Sequence, residues 1–183
     1  MILTSRRLKL RPFHRGDARA LAEYRSDPEV ARYQGWDPPM SFTEATRFVD
    51  DQTAPMQPGW YQYAIDLDGE LIGDIGINLH DNRMQAEIGY TLATKHQGHG
   101  YATEAVARVL EHLFTERGLH RVSAECDARN VRSALLLERL GFQQEGLRRE
   151  HTWIKGEWTD DLLFGLLAND YEDAESRRDA ETP

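Results

Sequence analysis

A chain of 183 residues with 40% hydrophobic and 29% charged side chains has the size and composition of one soluble globular domain. Its formal charge is −9 at pH 7, of which −4 belongs to the segment from Asp170 onward; the rest of the chain is also acidic and offers no basic stripe for nucleic acid. No apolar run approaches the ~18 residues of a membrane span, Met1 to Arg11 lacks the apolar centre of a signal peptide, and the single Cys126 excludes an intrachain disulfide, so a cytoplasmic protein without nucleic-acid or membrane partners is expected.

In chain order, Leu8 and Leu10 alternate with Arg7, Lys9 and Arg11, which predicts a strand with one buried face and a solvated basic side. Asp17 is placed to cap a helix carrying Ala20, Leu21 and Tyr24, and Asp27-Pro28 ends it and opens a shorter one. Beyond the rigid loop Trp36-Asp37-Pro38-Pro39, Ser41 or Thr43 caps a helix with Ala45, Phe48 and Val49 on one face. From Tyr61 the pattern alternates as strands: Tyr61 to Leu67, a turn at Asp68-Gly69, Leu71 to Leu79, a turn at Asp81-Asn82, and Gln85 to Ala93. A long helix runs from Gly100 to Arg117 with Gly118 as its stop, then a strand over Val122 to Cys126, and a helix opened by Asn130 and closed by Gly141. Two strands, Gln143 to Ile154 and Trp158 to Leu167, join through Lys155-Gly156, and the acidic tail beyond lacks periodicity and reads as disordered.

Between the strand ending at Ala93 and the long helix lies Lys95-His96-Gln97-Gly98-His99-Gly100-Tyr101-Ala102-Thr103. Two glycines one residue apart open backbone conformations closed to other residues, so successive N–H groups can converge above a helix N-terminus, where an anion such as a diphosphate binds. The stretch is neither a P-loop nor a dinucleotide fingerprint: Lys-Ser/Thr does not follow the second glycine, and Thr103 stands where a third glycine would be needed. A plain turn opening a helix is the competing reading.

The spacing resembles the acyl-CoA pyrophosphate loop of the GCN5-related N-acetyltransferases, Gln/Arg-x-x-Gly-x-Gly/Ala, with Lys95 in the first place; a lysine there cannot make a bidentate guanidinium contact. Asn130-Val131-Arg132-Ser133, continuing to Leu140-Gly141-Phe142, resembles a second motif of that family at the expected distance, although Asn130 is equally a good helix cap. With Thr4 to Asp17, Glu87-Ile88-Gly89-Tyr90, Gly100 to Ala105 and Glu145-Gly146 also in place, the chain resembles the RimJ/RimL branch over about residues 2 to 168.

The resemblance implies an α/β acyl-CoA N-acyltransferase fold, a mixed but mainly antiparallel V-shaped sheet of about seven strands with about four helices. It implies a single domain over residues 1–170, a tail over 171–183, and a homodimer as one assembly open to the last strands. Acetyl-CoA is the implied cosubstrate, held by Thr91, Leu92, Lys95, Gln97, Gly98, His99, Gly100, Tyr101, Ala102, Thr103 and Asn130, with no metal. The acceptor is an amine, either a peptide N-terminus or a small amine such as a polyamine, amino acid or aminoglycoside. An amine attacks only after losing its proton; at pH 7 roughly a tenth of an α-amine is neutral but well under a thousandth of a lysine amine, so an N-terminus needs less help from a base. Glu87 matches the family's strand carboxylate and is the candidate base, the alternative being a solvated or salt-bridged strand glutamate. Ser133 is the candidate group on the thiol side, because Leu137 stands where many relatives have a tyrosine; the alternative is a serine bonded to its own helix. A non-catalytic acyl-CoA-binding module is the reading from a different class. His96 and His99 lack a third ligand at metal-binding spacing, and Glu104 suits the dipole of the first helical turn.

Overall fold

The computed structural model describes residues 1–52 and 57–181, with side chains through Ala174 at the C-terminal end. Thr182 and Pro183, part of the tail read as disordered, lie outside the described residues. The first expected strand is β2 (Lys9–Arg11), and a further short strand, β1 (Leu3–Thr4), pairs with it because the chain folds back at Ser5–Leu8. There the Ser5 N–H donates to the Leu8 carbonyl at 3.0 Å and the Ser5 hydroxyl accepts from the Leu8 N–H at 3.2 Å, which sets Leu3 opposite Leu10. This fold-back raises the strand number from the expected seven to eight.

Helices α1 (Ala18–Arg25), α2 (Pro28–Ala31) and α3 (Phe42–Asp50) follow. Asp27 caps α2 by accepting from Glu29, and Ser41 caps α3 in a reciprocal box with Glu44, satisfying N–H groups that a helix start leaves free. Asp17 does not cap α1; its carboxylate accepts two bonds from Arg11, at 2.8 and 2.9 Å. Arg11 also reaches Asp66 at 2.8 Å, so the basic side of the first strand is ion-paired there rather than solvated.

Next come β3 (Gly59–Leu67), β4 (Glu70–Leu79) and β5 (Gln85–Leu92), joined by tight turns, then α4 (Tyr101–Glu111), β6 (Arg121–Asp127), α5 (Val131–Arg139), β7 (Gln143–Ile154), β8 (Glu157–Leu167) and α6 (Ala168–Glu181). The strand order is β1-β2-β3-β4-β5-β6-β8-β7. Every neighbouring pair is antiparallel except β5–β6, where α4 makes the crossover that a parallel pair requires. That parallel ladder runs only from Gln85↔Arg121 to Ile88↔Ala124. Beyond it Gly89–Leu92 and Glu125–Asp127 share no register, so the sheet is split along one seam, as the V shape implies.

The period of two assigns the two faces. Tyr63, Ile75, Ile88, Ala124 and Phe164 pack with Val106, Val109 and Leu113 of the α4 segment and Leu137 of α5. On the opposite face Leu21 and Tyr24 of α1 and Ala45 and Val49 of α3 cover Ala64 and Leu71. Each fully buried aliphatic or aromatic side chain contributes ~1.5–3 kcal/mol, so both faces are anchored while the seam between β5 and β6 is closed by one short ladder.

The tail differs from expectation. Helix α6 begins directly after β8, and Tyr171 is buried with its ring stacked on Phe114 at 4.9 Å. An aromatic anchor in its first turn docks a segment whose remaining sequence is acidic, so the core extends past residue 170. Among the described residues, no helix is long and apolar enough to cross a membrane.

Candidate active site

The turn after β5 is built as its glycines require. Gly98 and Gly100 both have left-handed backbone, φ 80° and 79°, a region that other residues enter at a cost. Helix α4 starts without a capping side chain, and its first backbone closure is Glu104 N–H to Gly100 O at 3.0 Å. Helix α5, by contrast, is capped by Asn130, whose side-chain oxygen accepts from Ser133 N–H at 3.2 Å. The α4 terminus therefore leaves the N–H groups of Tyr101, Ala102 and Thr103 without a capping side chain, an arrangement that suits an anion. The carbonyl-side amide of Gln97 holds the loop: its Nε2 donates to Leu92 O at 3.0 Å, and its Oε1 accepts from Arg132 at 3.3 Å.

Lys95 is ion-paired within the chain. Its ammonium pairs with Glu70 at 2.5 Å, and that carboxylate lifts the lysine pKa. His99 stacks on Tyr101 with ring centroids 5.7 Å apart. The cations that the fold brings to the turn are Arg7, which donates to His99 O at 3.0 Å, and Arg132. Neither was singled out in the sequence, because each reaches the turn from a distant element. Glu104 does more than suit a dipole: it accepts from the Arg7 side chain at 2.6 Å and from Ser5 Oγ at 2.8 Å.

At the seam, Gly89 faces open space, since a Cβ there would meet nothing within 4 Å. The alternation of β5 turns Tyr90 toward α5, where its hydroxyl lies 2.7 Å from Ser133 Oγ. Burial raises the Tyr90 pKa to about 12, against a smaller opposing effect of the Ser133 hydrogen bond. Tyr90 is the site neighbour that sequence reasoning passed over as a side chain. Its signal was present in the period of β5, but the partner is 43 residues away. Cys126 lies beside them with its thiol pushed up to about 11, chiefly by burial and then by Asp127 and Asp161, with Ser133 as an opposing hydrogen-bond partner, a direction that disfavours the thiolate.

Glu87 points to the other face of β5, in register with Asn78 of β4 and Ser123 of β6. Burial, and next the neighbouring Glu125 carboxylate, hold its pKa above the ordinary 4.5. Other carboxylates of this face have cationic or hydroxyl partners. Arg148 reaches Glu125 at 2.9 Å, Arg129 pairs with Asp127 at 2.7 Å and Glu157 at 2.6 Å, Arg121 holds Glu145, and His151 and Thr152 reach Asp161 at 2.9 and 2.5 Å. Among the described residues Glu87 makes no ion pair; its hydrogen-bond partner is Asn78. Gly165 permits one of these clasps, because a Cβ there would lie 2.5 Å from both Arg121 and Glu145 side-chain atoms.

The β7–β8 hairpin closes one end of this face: Lys155 donates to the carbonyls of Gln34, at 2.9 Å, and Trp36 in the loop after α2. Within β7 the ladder breaks between Arg148 and Thr152, and Glu150 has φ 46° with its N–H bonded to Asp160 at 2.8 Å. The period of two therefore fails across this bulge.

Residues 7–143 match the family described as "Acetyltransferase (GNAT) domain". The chain is 35% identical to the uncharacterized N-acetyltransferase p20 of Bacillus licheniformis, over 92% of this chain and 97% of that protein. It is 28% identical to the [ribosomal protein uS5]-alanine N-acetyltransferase of Escherichia coli, over 92% of each, and 24% identical to the spermidine N(1)-acetyltransferase of the same organism, over 90% and 88%. A GNAT-family acetyltransferase from Bacillus anthracis superposes with a TM-score of 0.83 at 28% identity, over 92% of this chain and 99% of that one. The structure of RimL, a ribosomal L7/L12 alpha-N-protein acetyltransferase in complex with coenzyme A, shares the fold with a TM-score of 0.81 at 22% identity, over 91% and 98%.

Proposed function

The chain belongs to the GNAT acetyltransferase family and is an acetyl-CoA-dependent N-acetyltransferase, and from that premise we propose that its acceptor is the α-amine of a polypeptide. The observation that carries this reading is the charge pattern on the Glu87 face. A polyamine presents several ammonium groups and needs several uncommitted carboxylates, whereas Glu125, Asp127, Glu145 and Glu157 are each paired with an arginine. Glu87 remains for a single amine. An α-amine also has the lower pKa, near 8, so a weakly basic carboxylate suffices to take its proton directly or through one water. The ribosomal-protein alanine acetyltransferase relative supports the same choice; the spermidine acetyltransferase relative is what makes a small polyamine the reading to test against it.

In this reading the free N–H groups at the start of α4 and the Gly98–Gly100 turn hold the diphosphate of acetyl-CoA, and the open backbone of β5 beyond Ile88 receives its pantetheine arm. Transfer forms the amide N–C bond and breaks the C–S bond. Glu87 accepts the proton from the amine on one face of the sheet. Ser133 donates to the departing sulfur on the other, with Tyr90 holding the serine hydroxyl so that its hydrogen is directed into the seam. Thr91 and Leu92 border the carbonyl, where a backbone N–H stabilises negative oxygen.

The test is acetyl-CoA turnover, read by thiol release, on peptides beginning with Ser, Ala, Met or Thr beside spermidine, spermine and aminoglycosides. Acetylation of one peptide class, with polyamines at least tenfold slower in kcat/KM, is the expected result. A polyamine turned over faster than every peptide overturns the assignment, and tight CoA binding without turnover of any amine moves the protein to the non-catalytic class.

A further inference from the structure

We propose that Arg7, a residue of the N-terminal segment between β1 and β2, is a positioning residue that holds the Gly98–Gly100 turn in its diphosphate-binding shape. The inference rests on the assignment of that turn to the cosubstrate diphosphate and concerns a residue outside the loop motif. Arg7 touches both sides of Gly100 at once. Its Nη1 donates to His99 O at 3.0 Å on the loop side, and its Nε donates to Glu104 Oε2 at 2.6 Å in the first turn of α4. Its backbone N–H bonds the other Glu104 oxygen at 2.7 Å, and Ser5 Oγ reaches that oxygen at 2.8 Å. The guanidinium also lies 4.5 Å over the Tyr101 ring, which stacks on His99.

The geometry matters because a turn with two left-handed glycines has little conformational restraint of its own. Converging N–H groups bind an anion well only when the turn is fixed beforehand, since ordering it on binding would reduce affinity. Lys95, the charge nearest the turn in sequence, is paired with Glu70 and supplies no such restraint. A planar guanidinium can span the His99 carbonyl and the Glu104 carboxylate together, which a lysine ammonium on a flexible stem cannot do with the same geometry.

The test compares CoA with an acetyl-pantetheine thioester that lacks the diphosphate. Calorimetric affinity for CoA requires no amine, so a failed acceptor assignment leaves this reading intact. Arg7→Gln and Glu104→Gln are each expected to weaken CoA about tenfold, the loss of a charge-assisted hydrogen bond, and the double variant to be no weaker than the poorer single one. The calorimetric affinity for acetyl-pantetheine stays at its wild-type value, and Arg7→Lys recovers no more than about threefold of the CoA affinity. If Arg7→Gln does not fold, Glu104→Gln carries the comparison. Unchanged CoA affinity, equal losses of affinity for CoA and acetyl-pantetheine, or full rescue by lysine would each overturn the proposal.

Discussion

Glu87 and the Tyr90–Ser133 pair lie toward opposite faces of one strand, and the proposed function gives each a separate proton task. Glu87→Gln is expected to lower kcat by about 10²–10⁴-fold with the KM for acetyl-CoA unchanged. The Glu87 pKa is raised in the folded chain, by burial and then by Glu125, so the ionised group opposes folding. Below pH 4.5 both folded and unfolded chains hold it protonated and it has no effect; the opposition grows as pH rises through the folded value. The same variant should therefore melt higher than wild type at pH 7, with the gain vanishing toward pH 4. Glu125→Gln removes the repulsive neighbour and should move the acid limb of kcat/KM to lower pH. On the thiol side, Ser133→Ala and Tyr90→Phe should each reduce kcat by about 10–100-fold and combine without further loss. A thioester whose thiol is more acidic should restore the rate in both, because its departing sulfur needs no proton. An unaltered Brønsted dependence on the thiol in Ser133→Ala would remove the serine from that step.

At the level of elements, the sequence was most readable where a local rule acts alone. The start of β5 follows from alternation, β7 ends at the Lys155-Gly156 turn, Asn130 and Gly141 bracket α5, and Gly98 with Gly100 announces the turn. It was least readable where the outcome depends on a distant partner. The short strand β1, ahead of the expected first strand, went unread because it forms where Ser5 bonds Leu8 and Glu104. Asp17 looks like a cap, but the guanidinium of Arg11 offers it two charge-assisted bonds, stronger than one neutral cap. The tail was misread because six acidic residues outweigh one Tyr171 in any composition window, whereas one stacked aromatic ring is enough to dock a helix turn. Shortening the chain to end after Ala174 is expected to leave the denaturant midpoint unchanged. Ending it after Asp170 removes Tyr171 and should cost ~3–5 kcal/mol, the range for deleting a large buried aromatic. Equal midpoints for the two would show that the Phe114 stack contributes nothing.

Across the whole molecule, the sheet is two antiparallel halves, β1 to β5 and β6 to β8, joined by the four register pairs from Gln85↔Arg121 to Ile88↔Ala124. The resemblance predicted the V but could not say how few pairs close it, because pairing of parallel strands depends on how α4 seats and not on either strand's own pattern. A cosubstrate lying against β5 should stabilise the fold by about 2.7 kcal/mol at a concentration of 100 Kd. Hydrogen exchange should slow at Gly89–Leu92 and Glu125–Asp127 far more than in β3 or β4; uniform slowing across the sheet would place the ligand elsewhere. The same four pairs have a mechanical meaning. Tension applied across a sheet is borne by its rungs, and the β5–β6 row has four register pairs where β4–β5 and β6–β8 each have seven. Pulled apart between β4 and β8, the domain would part first along β5 and β6, and a molecule wedged there during turnover would also be the one that stiffens it.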